Sequence, residues 1–339
     1  MGFNNPGMSW SELERRLSGR LPLPAPPNGG DSPAWSRKRG PYAPPGALVS
    51  RRRGSVPYAE LHCHSNFSFL DGAAHPEELV EEAVRLGLEA LALTDHDGFY
   101  GVVRFAEAAR ELGLPTVFGA EVTLDLPRRS QAVGRAGGAR SGMADPAGQH
   151  LVVLARDPAG YARLSRVLAR AHLDGGEKGL PKVGLSQLAE AHGGHWLVLT
   201  GCRKGTVPAA LTDGGPSAAG RALADLLVAF GRDNVAVELW DHGDPLDSAR
   251  NDALVAVAAR AGVDVIATNN VHYDVPSRRR LATALAAVRA RRSLDEIDGW
   301  LPASAGPICG RARSRPAASR GTPAWWSGRP SWGWPAPST

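Results

Sequence analysis

Short apolar runs alternate with amphipathic stretches between Tyr58 and Thr268, and this pattern constrains the fold more than any other feature. The runs occupy residues 58–62, 90–94, 116–119, 150–155, 196–200, 235–239 and 264–268. Between them, residues 76–86, 101–112, 159–171, 218–230 and 248–261 carry apolar side chains at helical spacing. Leu79, Ala83 and Leu86 form one such stripe, and Gly87, Gly113 and Gly262 stand where C-caps belong. Such alternation predicts an α/β fold with a largely parallel sheet. Seven units suit a closed or nearly closed barrel better than most open sheets. The pattern breaks once. Residues 116–125 and 150–155 are joined by a Gly/Arg-rich loop with no helix. A wide antiparallel hairpin is expected there, with a mobile loop and the start of the second strand beside the end of the first.

The flanks read differently. Residues 1–57 carry a net charge of +6 and residues 299–339 a net of +5, so residues 58–298 hold −6. The basic character therefore belongs to the ends, and the middle is not a nucleic-acid-coating surface. Trp10, Leu13 and Leu17 predict a short helix over 11–17. The Pro/Gly-rich text after it reads as irregular linker. Arg51, Arg52 and Arg53 could touch phosphates, whereas Arg278, Arg279 and Arg280 read as the solvated start of a helix. After Trp300 the chain has no acid and no aliphatic periodicity, and it holds four of the nine tryptophans. That composition points to loss of the native reading frame near residues 305–308, with a genuine disordered tail as the alternative. No apolar run approaches the ~20 residues of a membrane span. No secretory leader is evident, and three scattered cysteines do not make a disulfide framework. A cytoplasmic protein is the expectation.

Chemistry-bearing residues gather at the ends of the apolar runs. His62 and His64 flank Cys63, and i, i+2 spacing on a strand turns both imidazoles to one side with Cys63 facing away. Asp71 follows on a turn. His96 lies within TDHDG, Glu121 in the third run, His150 at the start of the fourth, and Cys202 just after the fifth; Asn270 and His272 follow the last. Imidazole, thiolate and carboxylate are ligands for Zn²⁺, and a carboxylate-rich site also suits Mn²⁺ or Fe²⁺. Loops after barrel strands converge on one mouth, so distant residues can share a cluster. Closely spaced divalent ions would activate water against a phosphoester. Glu238, Asp241 and His242 could support that mouth, but are read chiefly as shaping a loop. No Gly-rich phosphate loop is present.

The segments YAELHCHSNFSFLDGAAHPEELVEEA, LALTDHDGFYGVVRFAEAARELGLPTVFGAEV and ATNNVHY resemble the PHP (polymerase and histidinol phosphatase) domain. More closely, they resemble that domain at the start of bacterial C-family DNA polymerases. MSWSELERRLSGR and PAWSRKRGPY point to the error-prone branch, and RRSLDEIDGWLP resembles the stretch that follows the domain there. The resemblance implies a distorted (β/α)7 barrel with disordered N- and C-terminal tails and up to three divalent ions (Zn, Mn or Mg). By position it assigns His62, His64, Asp71, His96, Glu121, His150, Cys202, Asn270 and His272 as metal ligands, with Asp71, His96, Glu121 and His272 catalytic. Asn270 stands where metal-competent members carry an acid, which weakens one metal position. The implied organisation is a basic leader (1–57), the PHP domain (58–275), a helical start of the next polymerase segment (276–304) and an out-of-frame tail (305–339).

Three readings follow. The first is the PHP portion of an error-prone polymerase, lacking the polymerase carboxylates and able at most to hydrolyse phosphoesters. DNA and mutagenesis or replication accessory proteins are then the full-length partners. The second is a stand-alone PHP phosphoesterase. The third is a non-catalytic interaction module.

Overall fold

Local signals place the helices. In α2 (Pro76–Leu86), proline opens the first turn and the Glu78 carboxylate accepts the His75 backbone N–H at 2.9 Å. Gly87 ends the helix at φ 72°, a left-handed conformation that glycine adopts without strain. Gly113 and Gly262 end α3 (Val102–Leu112) and a later helix in the same way. The computed structural model describes residues 10–20, 42–46, 57–124, 148–176, 180–297 and 301. The Gly/Arg loop, Arg51–Arg53 and the tail after residue 301 lie outside the described residues.

Seven strands form one sheet in chain order. They are β1 (Ala59–Glu60), β2 (Ala90–Leu93), β3 (Thr116–Leu124), β4 (Gln149–Ala155), β5 (Trp196–Leu199), β6 (Val235–Leu239) and β7 (Val265–Ala267). The sheet is less parallel than expected, because β4 runs antiparallel to both β3 and β5. The expected hairpin is present, with Thr123 opposite His150. Inverting β4 puts its first residue, rather than its last, at the mouth shared by the other strand ends.

The sheet curls around an apolar plug to which every strand or its continuation contributes. Leu61, Ala92, Val117, Val152, Leu199, Ala236 and Ile266 are all buried in it. β1 and β7 do not pair within their own spans. Just beyond them, the His64 N–H reaches Val271 O at 2.8 Å and the Val271 N–H reaches His62 O at 2.9 Å. The ring thus closes where the histidines stand.

Helices cover the outside. α4 (Pro158–Gly175) starts on Asp157, whose carboxylate accepts the Gly160 N–H at 2.7 Å. α5 (Leu185–His192) escaped the periodicity reading. α6 (Thr206–Phe230) begins twelve residues earlier than its apolar stripe suggested and kinks at Gly214–Gly215 before Pro216. α7 (Asp247–Ala261) precedes β7, and α8 (Arg279–Ala290) follows it.

Two expectations need correction. Arg278 is not part of a solvated face: it is 1% exposed. Its guanidinium meets Glu14 at 2.7 Å, Glu78, and Asp274 at 3.6 Å. Burying such a charge is tolerable only with partners of this kind. The leader is also not wholly a tail. Its helix α1 (Trp10–Leu17) presents Glu14 to that arginine, and Leu17 packs near Tyr273 and Leu281. Tyr42 further along donates to Glu81 at 2.9 Å.

Candidate metal centre

The extended chain after β1 sets His62 and His64 on one side and Cys63 on the other. Cys63 is fully buried among Leu79, Leu91 and Phe105. The two imidazoles face inward with their Nε2 atoms 3.1 Å apart. Opposite them stands Glu121 of β3, 2% exposed. Its carboxylate lies 3.7 Å from His62 Nε2, 3.3 Å from His64 Nε2, 3.2 Å from His96 Nδ1 and 3.1 Å from His150 Nδ1. Beside it, Asp71 Oδ2 lies 3.1 Å from His96 Nε2 and 3.2 Å from His272 Nδ1.

Three overlapping groups result: His62–His64–Glu121, His64–Asp71–His272 and His96–Glu121–His150. Within each, the ligating atoms lie within 4.8 Å of one another. Seven of the nine sequence-predicted ligands therefore meet in one cluster. Cys202 sits at its edge, its Sγ 3.9 Å from Glu121 Oε1, and belongs to none of the three groups. Asn270 lies two residues before His272, buried, at φ 44°, with its Oδ1 lacking a hydrogen-bond partner. A fourth grouping, Glu14–His75–Glu78, sits under α1. Arg278 already neutralises it, so it is an ion-pair network.

Residues behind the histidines fix which nitrogen faces the cluster. Glu238 Oε1 lies 2.6 Å from His62 Nδ1 and also accepts the Thr268 hydroxyl at 2.5 Å. Ser68 does the same for His64. Its hydroxyl donates to Asp95 Oδ1 at 2.7 Å and accepts the His96 backbone N–H at 3.1 Å. It is then an acceptor toward His64 Nδ1 at 3.2 Å, which leaves His64 Nε2 bare toward the cluster. The sequence offers Glu238 as a possible support of the mouth but chiefly as a loop acid; it stands on β6 and fills the supporting role. Ser68 carries no signal beyond its place near Asp71.

The acids of TDHDG divide their work. Asp95 accepts the Ser65 N–H, the Ser65 hydroxyl and the Ser68 hydroxyl, each at 2.7 Å, and so ties two loops together. Asp97 accepts the Thr123 N–H at 2.7 Å and hydroxyl at 2.8 Å, which anchors the loop to β3. His96 alone of this motif enters the cluster.

Electrostatics follow from burial and crowding. Burial pushes His64 down to about 3, so it is a neutral imidazole at neutral pH, as a ligand must be. Burial also disfavours charge on His62 and His96, but the facing carboxylates outweigh it. Glu238 and Glu121 hold His62 well above its ordinary value; Glu121 and Asp71 raise His96 to about 9. Asp71 and Glu121 are buried, yet their imidazole neighbours keep both well below the usual carboxylate range.

The donor set fits divalent cations. Buried carboxylates and several imidazoles in mutual reach are what Zn²⁺ or Mn²⁺ would take. His150 Nε2 and Asn270 Oδ1 add buried polar atoms without a hydrogen-bond partner. A carboxylate behind His62 is the arrangement that holds metal-binding histidines in place.

A curled seven-stranded α/β sheet with a histidine–carboxylate cluster at its mouth defines a class, and the family comparison agrees. The PHP domain profile matches residues 60–242, and the chain belongs to that family. The chain is 57% identical over 304 residues to the error-prone DNA polymerase of Mycobacterium bovis, covering 89% of this chain and 27% of that protein. It is 53% identical over 343 residues to the error-prone DNA polymerase of Nocardia farcinica, covering 90% and 30%. The chain is thus homologous to the N-terminal part of error-prone DNA polymerases and spans little more than a quarter of their length. Among solved structures, it resembles a two-domain Bacteroides vulgatus protein containing a predicted PHP-like metal-dependent phosphoesterase. That likeness has 18% identity, covers 66% of this chain and 57% of the other, and has a TM-score of 0.37. No helix among the described residues is long and apolar enough to cross a membrane.

Proposed function

We propose that this chain is the PHP module of an error-prone polymerase-type protein and that its cluster binds divalent metal to hydrolyse phosphodiesters, with a 3′ DNA end as the natural substrate. The observation that carries this reading is the Glu121 carboxylate, which lies within 3.7 Å of four imidazoles from three parts of the chain. Divalent ions bound there would polarise a phosphoryl group and supply an activated water. His62, His64 and Glu121 would hold one ion, and His96, Glu121 and His150 a second, with the Glu121 carboxylate shared between them. The free lone pair of His64 is on Nε2 alone, so the His64–Asp71–His272 grouping competes with the first position for that nitrogen. Loss of Glu121 would disturb both positions. Glu238 and Ser68 keep the imidazole lone pairs turned inward. The buried surroundings exclude bulk water, which strengthens each of these interactions. The relatives' name, error-prone DNA polymerase, supports DNA as the polymer; replication and damage-induced synthesis as the setting and the cytoplasm as the location are part of this proposal. DNA and mutagenesis accessory proteins are the partners this reading implies.

The test is elemental analysis of the purified chain after Mn²⁺ or Zn²⁺ loading, followed by digestion of 3′-labelled single-stranded DNA. Release of 3′ nucleotides by the wild type and none by Glu121→Gln is expected. Bound metal without any release would overturn hydrolysis. It would leave the third reading, a non-catalytic module that still holds metal, which Asn270 in place of an acid favours.

A further inference from the structure

Arg289 reaches the cluster from outside the span matched by the PHP profile. It stands in the last turn of α8. Its Nη1 donates to Asp71 Oδ1 at 2.9 Å and to Leu70 O at 3.3 Å. Leu70 holds a left-handed backbone, φ 61°, unusual for a residue with a Cβ. The loop that delivers Asp71 is therefore braced from α8. Asp71 Oδ2 faces His96 and His272, so the guanidinium occupies the opposite oxygen of a carboxylate shared with the cluster.

The guanidinium is only partly used. Nη1 makes both contacts; the Nε and Nη2 N–H groups have no protein partner among the described residues. Arg289 is 15% exposed, so it is neither sealed into the core nor a free surface charge. An arginine tethered by one nitrogen, with its Nε and Nη2 N–H groups unpaired among the described residues, offers the planar fork that matches two oxygens of a phosphate. The tether also reduces the side-chain freedom that an arginine loses on binding an anion.

We infer that Arg289 is a substrate-binding residue: its open edge holds the non-bridging oxygens of a phosphate group of a phosphodiester at the cluster. This deepens the proposed function and rests on it for the identity of the substrate. A phosphate anchor supplied by α8 also makes the segment beyond the barrel a part of the site. Removing the barrel's C-terminal extension would then impair substrate binding even with every metal ligand in place.

The test uses the full chain and inorganic phosphate. Phosphate affinity is measured by calorimetry for wild type, Arg289→Ala and Arg289→Lys, with and without Mn²⁺. Mn²⁺ affinity and the unfolding midpoint are measured on the same proteins. Loss of one charge-assisted fork predicts phosphate binding weaker by about tenfold to a hundredfold in Arg289→Ala. Lysine restores part of that loss, because it keeps the charge but not the fork. Mn²⁺ affinity falls by less than phosphate affinity, since Arg289 orients Asp71 but supplies no ligand atom. Equal phosphate affinity in wild type and Arg289→Ala would overturn the inference. So would a loss of phosphate binding fully matched by a loss of Mn²⁺ affinity, since Arg289 would then act only by positioning Asp71. If Arg289→Ala unfolds, the lysine variant decides: phosphate affinity equal to wild type counts against the fork. If the wild type binds phosphate through Arg289 yet releases no nucleotide from DNA, the hydrolytic reading fails and the anchor stands.

Discussion

Glu238 Oε1 lies 2.6 Å from His62 Nδ1, and neither side chain is exposed to solvent. The contact joins β6 to the chain leaving β1 and fixes which nitrogen of His62 can face a metal. Replacing Glu238 by alanine should weaken metal binding at the His62–His64–Glu121 group by about tenfold to a hundredfold. Glutamine, which can still accept a hydrogen bond, should cost less. Mn²⁺ titration followed by electron paramagnetic resonance reads this directly, and wild-type affinity in Glu238→Ala would refute it.

Gly72 packs against the loop that precedes it. A Cβ there would lie 1.9 Å from Ser65 O. Ser65 cannot retreat easily, because three hydrogen bonds tie Ser65 and Ser68 to Asp95. Gly72→Ala should therefore destabilise the protein by about 2 kcal/mol, near the middle of the overpacking range. The unfolding midpoint should fall by about 4–8 °C. A change below about 1 °C would show that the loop yields.

The pairing of α1 with the barrel should depend on pH from both sides. Burial raises the Glu14 carboxyl, but His75 and Arg278 outweigh it and bring it down to about 2 from 4.5. Its contribution is therefore complete above 4.5 and disappears as pH falls toward 2. For His75, burial opposes the charge but Glu14 and Glu78 raise the imidazole above 6.5. That contribution is complete below 6.5 and disappears as pH rises through the elevated value. Glu14→Gln should cost about 2 kcal/mol between pH 5 and 6, and less at either extreme. Urea unfolding across pH 2–9 measures it; a cost that does not vary with pH would exclude the network.

Asn270→Asp should strengthen metal binding. The side chain is buried, its Oδ1 has no hydrogen-bond partner, and aspartate tolerates the left-handed backbone at this position. A carboxylate gives a stronger ligand than an amide carbonyl. Elemental analysis should show higher metal occupancy at limiting Mn²⁺, with affinity up by about tenfold, one added charge–metal contact. Unchanged occupancy would mean that position 270 does not face a metal.

Much of this was legible before any coordinates. The alternation of apolar runs and helical stripes marked all seven strands, and the missing helix before His150 marked the hairpin. The i, i+2 spacing of His62 and His64 showed that they share a side. What stayed hidden lay in contacts between distant segments. Arg289 has no spacing relation to the Asp71 it contacts and reaches it from a helix 218 residues on. Glu238 could be named as a support for the mouth but not paired with His62. Ser68, four residues from His64, shows no sign in sequence that it would turn back onto that imidazole. Arg278 looked like part of a basic surface run, since nothing local reveals that Glu14, Glu78 and Asp274 converge on it.

The sequence alone determined the elements and the inventory of ligands, because periodicity, caps and turn residues act over a few positions of chain. Tertiary structure decided which of three adjacent residues, Asp95, His96 or Asp97, enters the cluster, which nitrogen of each imidazole faces inward, and that α8 takes part. Those outcomes depend on which groups meet across the closed sheet, where burial makes an unpaired polar atom costly and so selects a single arrangement.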